Sequence, residues 1–421
     1  MVINRYNNSA IAILKNGSNI IEGNFIGTDI GGTVSKGVAL TEGISIDTAN
    51  NVVGGTTAAA RNLISGIAEG VIFTTYYSDP ATLNLVQGNF IGTDVTGTKQ
   101  IANSHAGVST RSAPGSPNNT IGGATPGARN LISGNTTTGV DIVYSGSPGT
   151  LVQGNFIGTD ITGTKSLANS DGVEVDAPNS TVGGTSTAAR NLLSGNTFQG
   201  ILIRDTLSTG NLIQGNFIGT DVAGTAAVAN GFYGVGMIFS ATMNTIGGTV
   251  ASARNIISGN AVAGIDVGAT LRATTIQNLI QGNYIGTDFT GNGHLGNGTS
   301  AFFDTNAGIV VPANATADRI FQNRIAFDHG AGVRLTNPPN TSDSPGLKIQ
   351  ITENEIFGNE GLGIDLGNAG ITPNDNKDLD TGPNNLQNFP ALTSAVRTPQ
   401  PQIISGSNSA EGNLRPLVFQ C

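Results

Sequence analysis

The chain of 421 residues has no tryptophan, only six tyrosines and three histidines, and a single cysteine. That cysteine, Cys421, is the last residue, so an internal disulfide and a thiolate metal site are both excluded. Charged side chains make up 11% of the chain, against about a quarter in an ordinary soluble domain. No apolar run approaches the roughly 20 residues that span a bilayer. Positive charge is scarcest: 19 Lys and Arg face 28 Asp and Glu, for a net −9 and a pI near 4.7. Such a surface repels phosphate backbones and speaks against a nucleic-acid partner. What is plentiful is glycine, 61 residues, with asparagine, threonine and serine. The glycines keep no three-residue period, which excludes a collagen. A hydrophobic share of 38% is enough to build a core, which excludes a disordered acidic chain.

Internal repetition is the dominant feature. Gly23-Asn24-Phe25-Ile26-Gly27-Thr28-Asp29 recurs from Gly88, Gly154 and Gly215, and as GNYIGTD from Gly282. Arg61-Asn62-Leu63-Ile64-Ser65-Gly66 recurs from Arg129, Arg190 and Arg254. The two motifs alternate and align with each other, so their asparagines mark one structural position. The markers are Asn24, Asn62, Asn89, Asn130, Asn155, Asn191, Asn216, Asn255 and Asn283, with weaker copies at Asn323 and Asn354. Each unit also carries Gly-Ile/Val-x-Ile/Val, as in Gly139-Val140-Asp141-Ile142, and a middle segment such as Leu151-Val152-Gln153. Three short strands per unit cannot each bury a face alone, but stacked coils make one continuous core. A β-sandwich would need tight two-residue hairpin turns, and the repeat lacks them. About eleven coils at ~4.8 Å each give a rod roughly 50 Å long.

On these motifs the chain resembles the right-handed parallel β-helix proteins, the pectate-lyase-like fold. Its GNFIGTD and ARNLISGN wording resembles repeats in large bacterial secreted or surface proteins. The expected fold class is therefore all-β, a single right-handed parallel β-helix over residues 1–370. Residues 371–421, with Pro390, Pro399, Pro401 and Pro416, read as an acidic exit loop and the stub of a further module. No secretion signal is visible, and both ends look cut, so the expectation is a fragment of a longer, exported protein. An open first coil invites end-to-end self-association.

Repeated polar residues read as structural. Asp29, Asp94, Asp160, Asp221 and Asp288 are expected to sit in Asx turns, alternating coil by coil with Asn135, Asn196 and Asn260. Arg61, Arg129, Arg190 and Arg254 are expected to bond carbonyls or the Asp column. The Asp-x-Thr-Gly-Thr excursions at 94–98 and 160–164 read as candidate groove walls.

The outward x of Gly-Ile-x-Ile varies instead: Ala39, Ile72, Ser109, Asp141, Glu174, Leu202, Gly236, Asp266, Val310, Arg334, Asp365. Two residues on come Thr74, Arg111, Val143, Asp176 and Arg204. Asp141, Glu174 and Asp176 should thus cluster mid-rod within ~5–10 Å, beside Arg111 and Arg204. Tyr76, Tyr77 and Tyr144 follow the same strand as candidate sugar platforms, and His105 precedes its coil's Gly107 near Arg111. Clustered carboxylates suit glycoside hydrolysis or Ca²⁺ coordination. The resemblance implies polysaccharide on this strand face. A second calcium candidate is the Asp375, Asp378 and Asp380 run of 374–382, which lacks the bidentate Glu of an EF-hand. Two functions follow: a non-catalytic, adhesin-like surface rod that engages glycans, or a polysaccharide hydrolase or lyase using the mid-rod acids.

Overall fold

The computed structural model describes residues 1–37, 41–75, 80–110, 115–143, 146–268, 275–300, 306–313, 315–337, 348–375 and 381–389, with the strands Ala391–Ala395 and Ile404–Ser407. Their architecture is a right-handed parallel β-helix. Three parallel sheets hold twelve, twelve and eleven strands, and each of the first eleven coils contributes one strand to each sheet. The first sheet carries the marker motif (Phe90–Ile91, Leu131–Ile132, Phe156–Ile157), the second the Gly-Ile-x-Ile strands (Val140–Ile142, Val173–Val175) and the third the middle strands (Leu151–Gln153, Thr181–Gly183). The extra coil is opened by Val2–Ile3, which pairs with Phe25–Ile26. Met1 stands there in place of a marker asparagine, and its ammonium donates to the Gly23 carbonyl at 3.1 Å.

Inward Ile, Leu and Val from all three sheets form one core, with Ile132, Ile142 and Val152 fully buried. Alongside it run ladders of buried amides. The eleven marker asparagines form an unbroken chain in which each Nδ2 donates to the next coil's Oδ1 at 2.9–3.2 Å. The same Oδ1 also accepts the preceding marker's main-chain N–H, as from Asn155 to Asn191 at 2.9 Å. A second ladder, at the end of the first sheet, joins Asn103, Asn135, Asn169, Asn196, Asn230, Asn260 and Asn297.

This second ladder corrects the expected alternation of Asp with Asn. Asn135 and Asn196 stack on Asn169, and the aspartates lie outside the column. Each Asp instead heads a loop inserted before the ladder position. Asp94 Oδ1 accepts the N–H groups of Thr98 and Lys99 at 3.1 Å, and Asp221 Oδ1 those of Thr225 and Ala226 at 2.8 and 3.1 Å. These loops reach across the intervening coil: Val95 N–H donates to Gly32 O, Ile161 to Gly97 and Val222 to Gly163, at 2.9–3.0 Å. They lie over the first sheet rather than walling the acidic face, and cover an outer apolar column of Leu63, Phe90, Leu131, Phe156, Leu192 and Phe217. At Gly97, φ is +69° and a Cβ would overlap Leu131. Arg129 and Arg190 donate to carbonyls as expected, from Nε to Gly154 O and Gly215 O at 3.3 Å. Their guanidinium planes also stack 4.1 and 4.0 Å from the centroids of Phe156 and Phe217.

The third sheet alternates two kinds of strand. Leu-x-Gln strands (Leu85–Gln87, Leu151–Gln153, Leu212–Gln214, Leu279–Gln281) take turns with Thr-x-Gly strands (Thr120–Gly122, Thr181–Gly183, Thr245–Gly247). Outward Leu and Thr share one half-buried column. After the last coil, which ends in Ile364–Gly367, Leu386 and Phe389 fold back over Ile349, Ile351 and Leu366 around a cavity of about 480 Å³.

Two coils from the end, the ladders change chemistry. Asp328 holds the second ladder's next position, accepting the Asn297 N–H at 2.9 Å and its Nδ2 at 2.8 Å. Neighbouring amides donate their second hydrogen to main-chain carbonyls, as Asn297 does to Ile257 at 3.0 Å. Asp328 Oδ2, buried without a partner, has no hydrogen to give unless the carboxyl is protonated. Burial pushes its pKa up to about 7, against the lowering pull of the Asn297 bonds. Asp318, below Asn278 in a third ladder, is likewise pushed up to about 7 by burial. Because the folded state holds these protons more tightly, their contribution is full below the ordinary carboxyl pKa and is lost as pH rises to about 7. Asp328→Asn is expected to stabilise the protein by roughly 2–4 kcal/mol at pH 8 and hardly at all at pH 4, read by urea denaturation at both pH values. An equal gain at both would refute the protonated ladder.

Candidate functional site

Stacking in the second sheet turns sequence intervals of about thirty residues into contact. Ile72, Ser109, Asp141, Glu174, Leu202, Gly236, Asp266, Val310, Arg334 and Asp365 are successive register partners, as their repeat position implies. At the start of the column the partner of Ile72 is Ser45, in Glu42–Ile46, where the sequence suggested Ala39. Gly37-Val38-Ala39 imitates the strand motif, but Gly43-Ile44-Ser45-Ile46 is the copy that pairs; Ala39 itself lies outside the described residues.

Asp141 and Glu174 are thus direct neighbours across Val140–Ile142 and Val173–Val175. Asp176 follows Glu174 by two residues on the same face. Arg204, closing Ile201–Arg204, reaches back one coil to both. Its Nε donates to Asp176 Oδ1 and Oδ2 at 3.1 and 3.0 Å and is also paired with Glu174 Oε1. Two acceptors on one nitrogen lie within about 6 Å of each other. The Arg204 side chain is 42% exposed while the two acids are about 10% exposed, so the guanidinium roofs the carboxylates. Thr138 Oγ1 donates to Glu174 Oε2 at 3.4 Å. Asp171, three residues before Glu174, joins the rim, accepting the Gln199 N–H at 3.1 Å and the Ser170 hydroxyl at 3.3 Å.

Electrostatically the cluster is crowded with acids. Burial raises the Asp176 pKa, the Glu174 charge raises it further and Arg204 counters, leaving it at about 7. Glu174 is raised by burial and by Asp171, against the pull of Arg204. Asp171 is raised by burial too. For Arg204, burial works downward, but Glu174, Asp176 and Asp141 carry its pKa up overall. Two coupled carboxyls, with Asp176 at about 7, make an arrangement that can hold and release a proton near neutral pH.

Beside these polar groups runs an aromatic ledge that the sequence reading missed. Phe198 and Phe232 occupy the turns that lead into successive second-sheet strands, with Phe198 N–H bonded to Ser170 O and Phe232 N–H to Phe198 O. Their ring centroids are 5.4 Å apart, and Tyr233 lies 6.1 Å from Phe232, edge-on. Phe198 is 42% exposed. Tyr233 bonds Asp266, and burial together with that carboxylate raises the phenol's pKa. Between ledge and Arg204 the floor is Leu202 and Gly236, where the missing side chain leaves the strand flat. Asp171 lies two residues before Val173–Val175 and out of step with Glu174, so the outward alternation carries no signal for it. Phe198 and Phe232 sit on turns whose residues do not recur, so periodicity carries no signal for them.

The other expected residues fall elsewhere. His105 is exposed on the turn before Val108–Ser109, two coils ahead of Glu174, and stands apart from the cluster. Arg111, Tyr76, Tyr77 and Tyr144 lie outside the described residues, as do Asp378 and Asp380. Asp375 is joined to Asn388 by two backbone-to-amide bonds of 2.9 Å. Among the described residues no three His, Cys, Asp or Glu are grouped to hold a metal ion.

The A-module of the mannuronan C-5 epimerase AlgE4 from Azotobacter vinelandii aligns with 77% of this chain and 74% of its own, at 13% identity and a TM-score of 0.46. No family model and no curated protein matches. The assignment to the parallel β-helix class rests on the three sheets.

Replacing Arg204 with Met is expected to drive Asp176 upward from about 7, since the group lowering its pKa is gone. Carboxyl ¹³C NMR across pH 5–9 would show it, and an unshifted Asp176 would dissolve the coupled cluster.

Proposed function

We propose that the second-sheet face around Asp171, Glu174, Arg204 and the Phe198–Phe232 ledge binds a glycan, and that the protein is a non-catalytic, adhesin-like rod acting outside the cell or on its surface. The observation behind this reading is the exposed Phe198 ring and half-buried Phe232 ring set beside rigidly held carboxylates on successive coils. A sugar ring offers an apolar C–H face to aromatics and hydroxyl donors to carboxylates, and this strip presents both. Arg204 is engaged by two acids of its own chain, and the surroundings add Asp141 and Asp205. The strip therefore favours neutral or amino-bearing glycans and repels uronates.

One observation favours the enzymatic alternative: a carboxyl held near pKa 7 beside a second carboxyl can act in acid–base glycoside hydrolysis, with Asp176 as donor and Glu174 as base. Calcium remains a proposal for the 374–382 loop, resting on its alternating Asn and Asp oxygens. It predicts a higher melting temperature when calcium is added to chelator-treated protein.

Phe198→Ala with Phe232→Ala should weaken binding to a panel of neutral and amino-bearing polysaccharides at least tenfold, by titration calorimetry, with the melting temperature nearly unchanged. The same panel, followed for new reducing ends and for absorbance of unsaturated products, tests turnover. Product formation lost in Glu174→Gln would establish the enzyme, and absence of both binding and turnover would end the glycan reading.

A further inference from the structure

The third sheet carries a surface that the glycan reading leaves unused. From Val52 to Leu279 its outward column bears no charge, and neither do the flanking Gln/Gly column and the four residues directly before each strand. In a chain of net charge −9, an uncharged strip about 40 Å long is where two copies can approach without repulsion. The strip is also corrugated. Leu-x-Gln strands stand as ridges, and Thr-x-Gly strands between them lie lower, so ridge and furrow alternate every ~9.6 Å.

We propose that this face pairs with the same face of a second copy, the two rods running antiparallel about a twofold axis along the strands, between those of Leu151 and Thr181. An axis in that direction keeps each column facing its own column and reverses the order of the coils. Leu151 then meets the partner copy's Thr181 position, and Thr120 meets the Leu212 position, so every ridge enters a furrow. Parallel rods in coil-for-coil register would set ridge on ridge and are excluded by bulk.

The ends of the strip supply a second, independent match. Glu22 precedes the uncharged stretch, one coil before Val52, and Arg319 follows it, one coil after Leu279. Both are exposed. Under the same axis the coil of Glu22 faces the coil of Arg319, two residues apart along the strand and within reach of both side chains. An ion pair forms at each end, and the axis that fits ridges to furrows is the one that joins these opposite charges. Ten facing strands of roughly 45 Å by 15 Å bury about 600–700 Å² on each copy, near the lower bound for a specific interface. A micromolar dimer follows, with the second-sheet face left open on both rods.

Sedimentation equilibrium of the full chain from 1 to 200 μM tests this. The expected result is a reversible dimer. Leu151→Arg should weaken it at least tenfold while circular dichroism and melting stay those of the parent. Glu22→Arg and Arg319→Glu should each weaken it, and the two together should restore it. A chain that stays monomeric at 200 μM overturns the proposal. So does a dimer indifferent to Leu151→Arg, or charge swaps that fail to rescue each other. Loss of polysaccharide binding on Leu151→Arg in a monomeric chain would assign the strip to glycan instead.

Discussion

Everything in this molecule depends on a buried amide that only the coils on either side can satisfy. An asparagine side chain enclosed in a β-helix must find an acceptor for its N–H groups and a donor for its oxygen, or lose about 1–3 kcal/mol for each group left bare. In the marker ladder the N–H is met by the asparagine one coil on and the oxygen by the asparagine one coil back, at 2.9–3.2 Å. Such a chain is satisfied in one register only, because slipping one strand by a residue would turn the amide outward and an isoleucine with it. The ladder therefore fixes spacing and register together. The neighbour relations on the outside of the rod, including Asp141 beside Glu174, are its consequence.

The two alternating motifs divide the labour around that axis. GNFIGTD coils carry the long loops and outward aromatics, and ARNLISGN coils carry the arginines that stack on them. Loops skip one coil and bond the next of their kind, so an outer apolar column is covered at two-coil intervals. The same alternation makes ridges and furrows on the third sheet. A structural unit of two coils thus produces surface relief at twice the strand spacing.

How much of this could be read beforehand follows from the same physics. The outward column from Ile72 to Asp365 was legible because it inherits the inward period. The count of about eleven coils agrees with sheets of eleven and twelve strands, and the first coil carries Met1 where the others carry a marker asparagine. Pairing Asn135 with the aspartates failed because an inserted loop leaves the motif's spelling intact while moving its last residue out of the column. Ala39 occupies the motif position in the sequence while Ser45 pairs in the structure, because a glycine followed by small apolar residues occurs twice before that coil closes. Stacking of Arg129 on Phe156 was hidden because the ring's outward direction is set by a two-residue strand. Phe198 and Phe232, on non-repeating turns, had no pattern to be read from.

Two groups of raised carboxyl pKa values here do not mean the same thing. Asp318 and Asp328 stand in amide columns facing the interior, where a protonated acid imitates the asparagine it replaces, and a structural role accounts for them fully. Glu174 and Asp176 face outward, in columns where leucine, serine, threonine and glycine serve other coils without electrostatic strain, and Asp171 sits on the turn before them. Three acids crowded beneath one guanidinium destabilise the folded state near neutral pH, and the ladder elsewhere shows that the fold does not require them. Strain that packing does not explain, set beside an exposed aromatic ledge, is what a binding or proton-transferring surface looks like.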